Sequence, residues 1–164
     1  MKKNLLLMFS QAVIAGGLLI GCGSTQSVAG KQMKALRIKE KVEMFDFTFK
    51  ATSANSMSFS LVNLESLYDL KVSKDTVQAY LPYFGRAYVA PMNPGNGGIK
   101  LISTYFDRSI SKNKRQGSWK IIIKTLDTNP DVSLYLDVWD NGSAQLIVND
   151  PNRQSISFLG YIVD

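Results

Sequence analysis

The chain is dominated by an alternation of apolar and polar residues that begins near residue 45. Three phenylalanines at positions 45, 47 and 49 alternate with three polar residues. Successive side chains of a β-strand point to opposite faces, so this pattern predicts a strand with one buried aromatic face. Comparable runs follow at 70–72, 76–80, 98–106, 118–124, 132–139, 144–148 and 155–162. The pattern therefore predicts a protein built mainly from β-strands.

Short turn signals separate most of these runs. Ser73-Lys74-Asp75 and Asn141-Gly142 are typical of tight turns and predict hairpins. Residues 52–66, rich in serine and asparagine, are predicted to form a long crossing loop or a short irregular strand. About eight strands with little helix favour an antiparallel sheet that curls or closes, because closure hides the apolar faces and removes free edges. We expect an all-β, meandering, barrel-like sheet of lipocalin-like architecture, and periodicity leaves a two-sheet β-sandwich open.

One segment before the strands has a helical pattern. Residues 31–42 place four apolar side chains among several lysines and contain no glycine or proline. This spacing predicts one short amphipathic helix that packs one side on the sheet.

The first 22 residues have the pattern of an export signal. Lys2 and Lys3 precede an apolar stretch that is short for a membrane span and is interrupted by polar residues and glycines. The stretch ends in Leu19-Ile20-Gly21-Cys22, which resembles the lipobox of bacterial lipoproteins. This resemblance implies cleavage before Cys22 and lipidation of that cysteine. We therefore expect a signal peptide at 1–21, a lipidated cysteine and flexible tether at 22–30, and a single β domain at 31–164.

Composition removes much of the usual catalytic chemistry. The chain has no histidine, and Cys22 is its only cysteine. The common catalytic pairs of a nucleophile and a base use histidine or a free thiol, and this chain lacks both after lipidation of Cys22. We therefore predict no enzyme activity, no cofactor and no metal site. Two pairs of acids remain as candidates for a hydrolase that uses carboxylates alone, although both have the spacing of ordinary turn residues. These pairs are Asp137 with Asp140 and Asp127 with Asp131.

The chain carries a formal charge of +6 at pH 7, and cleavage before Cys22 removes two lysines and no acid. The densest basic run, residues 108–117, is predicted to be a hairpin loop or a ragged, lysine-rich edge. Contact of this run with anionic lipid or polysaccharide is the alternative. Nucleic acid is not expected as a partner of an exported protein.

The segment Leu81-Pro-Tyr-Phe-Gly-Arg-Ala-Tyr88 is the densest cluster of aromatic, glycine and proline residues. Together with residues 47–51 and 152–161 it resembles the domain-of-unknown-function family numbered 4251, found as small lipoproteins in Bacteroidota. The resemblance runs from about residue 34 to the C-terminus. It implies an exported, mostly β domain, and it implies no activity and no catalytic residues.

Two interpretations of this cluster stay open. The rings either close one end of the barrel or form a patch that faces a partner, since exposed aromatic and arginine residues are usual anchors of recognition. Gly85 is expected to adopt a positive φ at a turn. Arg153 is expected to pair with a carboxylate across strands. The candidate binding residues are Tyr80, Tyr83, Phe84, Arg86 and Tyr88.

These observations predict a membrane-anchored envelope lipoprotein that acts as a non-catalytic binding or interaction module. We expect it on the outer membrane, facing the periplasm, with an envelope protein, a glycan or a small apolar ligand as partner. A carrier of a small apolar ligand inside the barrel is one alternative. A carboxylate-based glycan hydrolase is the other.

Overall fold

The computed structural model describes residues 28–56, 59–89, 97–113 and 117–163. Within these residues the chain forms one helix, α1, followed by nine strands. Their bounds are α1 Val28–Met44, β1 Phe47–Ser56, β2 Phe59–Val72, β3 Val77–Leu81, β4 Ile99–Ser103, β5 Phe106–Asn113, β6 Ser118–Thr125, β7 Ser133–Trp139, β8 Ser143–Asn149 and β9 Ile156–Ile162.

The nine strands form one sheet in the order β4-β3-β2-β1-β9-β8-β7-β6-β5. Every neighbouring pair is antiparallel. The two end strands, β4 and β5, therefore run in the same direction, and only Thr104 and Tyr105 separate them in the chain. The sheet curls until its two ends meet at this short connection. The predicted antiparallel, barrel-like sheet with one helix is confirmed.

The interior of the barrel is filled by side chains. Strands β6, β7 and β8 alternate buried and more exposed residues, as their sequence pattern predicts. Helix α1 adds Ile38 and Val42, both fully buried, to the same core. The largest fully buried side chains include Trp119, Phe45, Phe49, Phe158, Leu134 and Leu146.

Helix α1 begins at Val28, three residues before the predicted start. The last three residues of the expected tether are therefore helical. At its other end Lys41 donates a hydrogen bond from Nζ to the carbonyl oxygen of Val163, at 2.7 Å. No helix in the described part of the chain has the length and apolar content needed to cross a bilayer. Predictions for the signal peptide and Cys22 fall outside the described residues and stay predictions.

Of the two alternatives for residues 52–66, the crossing loop is wrong, because strands β1 and β2 run through most of this segment, whereas the irregular strand agrees with the register shifts in their pairing. A register shift lies between Ala51 and Ser53, and Ser53 and Ala54 are both buried although they are neighbours. This bulge breaks the two-residue period on which the sequence-based prediction depends. The polar residues are accommodated by bonds between strands, such as that from Thr52 Oγ1 to the carbonyl oxygen of Leu159 (3.1 Å).

The basic run was expected to be a loop or a ragged edge, and residues 108–113 belong to strand β5. Residues 107–113 of this end strand are all exposed, so β5 has no alternating pattern. Exposed charges on an end strand discourage pairing with another sheet. The loop alternative is wrong for these residues, whereas the edge alternative agrees with the structure.

Candidate functional site

The segment after β3 folds back onto the turn before β9. Ala87 forms an antiparallel bridge with Arg153. On one side of it the Tyr88 amide donates to the carbonyl oxygen of Asn152 (2.8 Å). On the other side the Gln154 amide donates to the carbonyl oxygen of Arg86 (2.9 Å). Residues 86–88 and 152–154 therefore form a short two-stranded ladder, which we call the 87/153 ladder.

Tyr83 supports this ladder from the side of the core. Its hydroxyl lies 2.8 Å from the carbonyl oxygen of Arg86 and 3.0 Å from that of Gln154, and its single proton is shared between these two acceptors. Burial raises the pKa of Tyr83, which keeps the hydroxyl protonated and able to donate. A Cβ at Gly85 would lie 2.9 Å from this hydroxyl oxygen. Gly85 therefore leaves space for the tyrosine, and the positive φ expected for it is wrong.

Arg153 joins the ladder to two further segments. Its guanidinium carbon lies 5.1 Å from the centre of the Tyr83 ring. Nη1 donates to the carbonyl oxygen of Gly98 at 3.1 Å, and Nε lies 3.4 Å from Oδ2 of Asp150. About one fifth of each of these two side chains is exposed. The expected carboxylate partner exists, but it lies three residues away in the same turn instead of across a strand pair.

The predicted binding residues divide into two groups on this framework. Tyr83 and Phe84 are partly buried and pack against the core, as the interpretation that the rings close the barrel requires. Arg86 and Tyr88 are exposed, and 64% of Tyr88 is accessible. Within the described residues, neither the Arg86 guanidinium nor the Tyr88 hydroxyl has a hydrogen-bonding or ionic partner. Among the predicted binding residues on this ladder, only Arg86 and Tyr88 are therefore available to contact an external partner.

Tyr80 lies apart from the ladder, on the outer face of β3. Its ring stacks on Tyr68 with 5.6 Å between ring centres. Lys100 on β4 places Nζ 5.4 Å from the Tyr80 ring centre. The Tyr80 ring is therefore engaged within the sheet surface, although 44% of the residue remains accessible.

Among the candidate acids, Asp127 has a structural role where the barrel closes. Its carboxylate accepts hydrogen bonds from Ser103 Oγ (2.5 Å), the Thr104 amide (2.8 Å) and the Tyr105 amide (3.1 Å). These bonds, with that from Ser103 as the largest cause, lower the pKa of Asp127 from 3.8 to about 2. The carboxylate thus fixes the connection between β4 and β5. Sequence reasoning identified this residue but assigned it to a turn or a hydrolytic pair.

Replacing Asp127 with asparagine should lower the melting temperature by several degrees at neutral pH. Because folding lowers the pKa of this carboxyl, its contribution is complete above 3.8 and is lost as the pH falls towards 2. The difference between the melting temperatures of the original chain and Asp127→Asn should therefore shrink over that range, as measured by circular dichroism. Asp131→Asn, which removes an exposed acid outside this set of bonds, is the matched control. An equal and constant loss in both variants would contradict the assignment.

The other candidate acids lie on strand β7, in the turn after it and beside the Asp150–Arg153 ion pair. Asp137 lies between the buried residues Leu136 and Val138 of β7 and so points out of the barrel. Asp140 lies in the β7–β8 turn, against Gly117. Asp131 borders a shallow cleft of about 420 Å³ beside Asp150 and Arg153, whose charges compensate each other. No cluster of three potential metal ligands occurs among the residues that the structure describes.

A second cleft, of about 370 Å³, lies between α1 and the β5–β6 hairpin. We call it the helix–β5 cleft. The indole of Trp119 is fully buried, and its Nε1 donor has no acceptor within the described residues. An unpaired buried donor costs about 1–3 kcal/mol. No sequence pattern indicated this cleft. Its lining residues are Gln32, Ala35, Leu36, Lys39, Lys112, Trp119 and Asp140.

Comparison with known proteins gives one family and one fold. The family model for the domain of unknown function DUF4251 matches residues 29–162. A crystal structure of a DUF4251 family protein from Bacteroides eggerthii DSM 20697 superposes with a TM-score of 0.60 at 12% sequence identity. The match covers 82% of this chain and 90% of the other. No curated protein matches the sequence significantly.

Proposed function

Since this chain belongs to the DUF4251 family, a domain of unknown function, we propose its role from its own surface: a non-catalytic binding module of the bacterial cell envelope. In this proposal a lipid on Cys22 anchors the protein to the outer membrane, facing the periplasm. Arg86 and Tyr88 are the residues that contact a partner protein.

The observation that carries the proposal is the fixed presentation of these two side chains. They stand two residues apart on the 87/153 ladder, so an extended backbone directs them to the same face. Tyr83 holds the backbone beneath them through its hydroxyl. A backbone that is held in place before binding loses less conformational entropy when a partner docks.

The chemistry of the pair suits protein recognition. Arginine and tyrosine are enriched among the residues that dominate interface energy, and arginine pairs well with carboxylates. We therefore expect a partner surface that offers an acidic group beside an apolar contact. The filled interior of the barrel argues against the alternative of a carrier with a central ligand cavity.

The proposed lipid anchor on Cys22 is inferred from the sequence. Residues 19–22 resemble a lipobox, and only a short polar segment separates Cys22 from α1. A single acyl chain holds a protein weakly to a bilayer, whereas several chains hold it stably. Attachment through a fully acylated cysteine would keep the domain close to envelope partners.

Changing both recognition residues, in Arg86→Ala/Tyr88→Ala, should abolish capture of the partner by the full lipidated protein. The expected melting temperature is unchanged, because neither side chain has a polar partner in the described structure. The measurement is quantitative mass spectrometry of proteins retained from solubilised envelopes, with the original chain as reference.

In the same membranes Cys22→Ser should move the protein from the membrane fraction to the soluble fraction.

Lys74→Ala/Tyr105→Ala is the matched control, because it also removes one exposed cation and one exposed tyrosine. This variant should retain the partner. Equal retention by all three proteins would refute the role of Arg86 and Tyr88, whatever the result for Cys22→Ser.

A further inference from the structure

We propose that the helix–β5 cleft binds a single-chain anionic amphiphile, with its carboxylate at Lys112 beside the Trp119 indole and its alkyl chain along Ala35 and Leu36. This site is separate from the 87/153 ladder and does not depend on the proposed partner. It also differs from a carrier cavity, because the ligand lies between the helix and the barrel instead of inside the barrel.

The size and the wall of the cleft fit an alkyl chain. Its volume of about 370 Å³ lies in the usual range for small-molecule sites, about 300–1,000 Å³. Ala35 and Leu36 form the apolar part of the helix side, and Trp119 lies on the barrel side. Leu36 is 65% exposed even though it borders an apolar wall, so a bound chain would remove leucine surface from water.

The charges at the cleft favour an anion. Lys112 projects from β5 and places Nζ 4.9 Å from the centre of the Trp119 ring. Lys39 borders the cleft from the helix, and its distance of 4.0 Å to Glu43 marks a weak, exposed ion pair. Asp140 is the one acid among the lining residues. Lys112 has no ion pair within the described residues, so its ammonium group favours a negatively charged head group over a positive one.

The indole of Trp119 lies at the barrel side of the cleft, next to Lys112. It lines the cleft and carries the buried Nε1 donor that lacks an acceptor within the described residues. Buried side-chain donors in folded proteins nearly always have an acceptor. A carboxylate held at Lys112 would lie close to the indole, because Nζ of Lys112 is 4.9 Å from the centre of the Trp119 ring.

Residues 23–164, which retain α1 and every described strand, are suited to the test because they carry no acyl chain of their own. Trp139→Phe leaves Trp119 as the single tryptophan, since the chain has two. Trp119 fluorescence is then titrated with dodecanoate, dodecanol and dodecyltrimethylammonium, each below its critical micelle concentration. We expect saturable binding of dodecanoate, at least about tenfold tighter than that of the cationic probe.

Two variants locate the site, and each has a matched control on helix α1. Leu36→Asp should weaken dodecanoate binding by about tenfold or more, whereas Met33→Asp, at an exposed position outside the cleft, should leave the affinity within about twofold. Lys112→Glu should remove the preference for dodecanoate over dodecanol. Lys31→Glu changes the same charge outside the lining and should preserve that preference.

Absence of a saturable fluorescence change with dodecanoate would overturn the proposal. Equal binding of the cationic probe, or equal weakening by Leu36→Asp and Met33→Asp, would overturn it as well. Binding to anionic vesicles without binding to monomeric dodecanoate would assign this face to a membrane surface and would also reject the ligand site.

Discussion

Gly160→Ala should destabilise the protein by about 3 kcal/mol or more, or prevent folding. Gly160 lies in β9 between β1 and β8, opposite Ala51 and Ala144. An added Cβ would lie 2.0 Å from the carbonyl oxygen of Lys50 and 2.8 Å from Cε2 of Phe49. Because one of these atoms belongs to the backbone of a central strand, a side-chain rotation cannot relieve the clash. The loss would appear as a lower midpoint of chemical unfolding.

Gly97→Ala is the matched control, because nothing lies within 4 Å of the position that its Cβ would occupy. This variant should unfold at or slightly above the midpoint of the original chain, since alanine reduces the conformational freedom of the unfolded state. Equal midpoints for the two variants would mean that β1 and β9 approach each other less closely than described here.

The sequence predicted those strands whose side chains alternate between core and solvent. Strands β6, β7 and β8 each have one buried face, so their apolar residues recur with a period of two. Strand β5 has no such face, and the end of β1 contains a bulge that places two neighbouring residues in the core. Strand β5 is formed by its pairing with β6, and the end of β1 by its pairing with β2 and β9, and neither pairing requires an alternation of apolar and polar residues.

The candidate site was only partly predictable for a related reason. The sequence places Tyr83 and Arg86 in one motif, but it does not reveal which ring faces the core. That assignment depends on Gln154, seventy-one positions away, whose carbonyl oxygen accepts a hydrogen bond from the Tyr83 hydroxyl. The helix–β5 cleft likewise brings together residues from α1 and two strands that no local pattern connects.

The two interpretations of the aromatic cluster apply to different residues, and the binding interpretation stays a prediction for Arg86 and Tyr88. Tyr83 and Phe84 pack against the core, and this packing fixes the backbone from which Arg86 and Tyr88 project. A change to the supporting residues should therefore affect stability and recognition together. A change to the projecting residues should affect recognition alone. This difference separates the structural role from the binding role by measurement.

Arg153→Ala should lower the free energy of unfolding by about 2–3 kcal/mol. It should also weaken partner binding, although Arg86 and Tyr88 themselves are not changed, because the 87/153 ladder that carries them loses support. The change leaves Asp150 without its ion pair and the carbonyl oxygen of Gly98 without its donor, and it removes the guanidinium from the Tyr83 ring. Chemical unfolding measures the first effect, and retention of the envelope partner measures the second.

Arg108→Ala provides the control for Arg153→Ala, because its guanidinium also lies over a ring, 4.4 Å from the centre of Phe45, but on the exposed strand β5. Because Arg108 is itself exposed and its hydrogen bond to the carbonyl oxygen of Lys74 is long, at 3.4 Å, loss of its side chain should cost only about 0.5–1 kcal/mol and should not change partner retention. Asp150→Asn completes a double-mutant cycle with Arg153→Ala, and coupling between the two is expected because they share one ion pair. Additive losses would show that Arg153 acts mainly through Gly98 and Tyr83. An Arg153→Ala protein as stable as Arg108→Ala would show that the 87/153 ladder does not depend on this arginine.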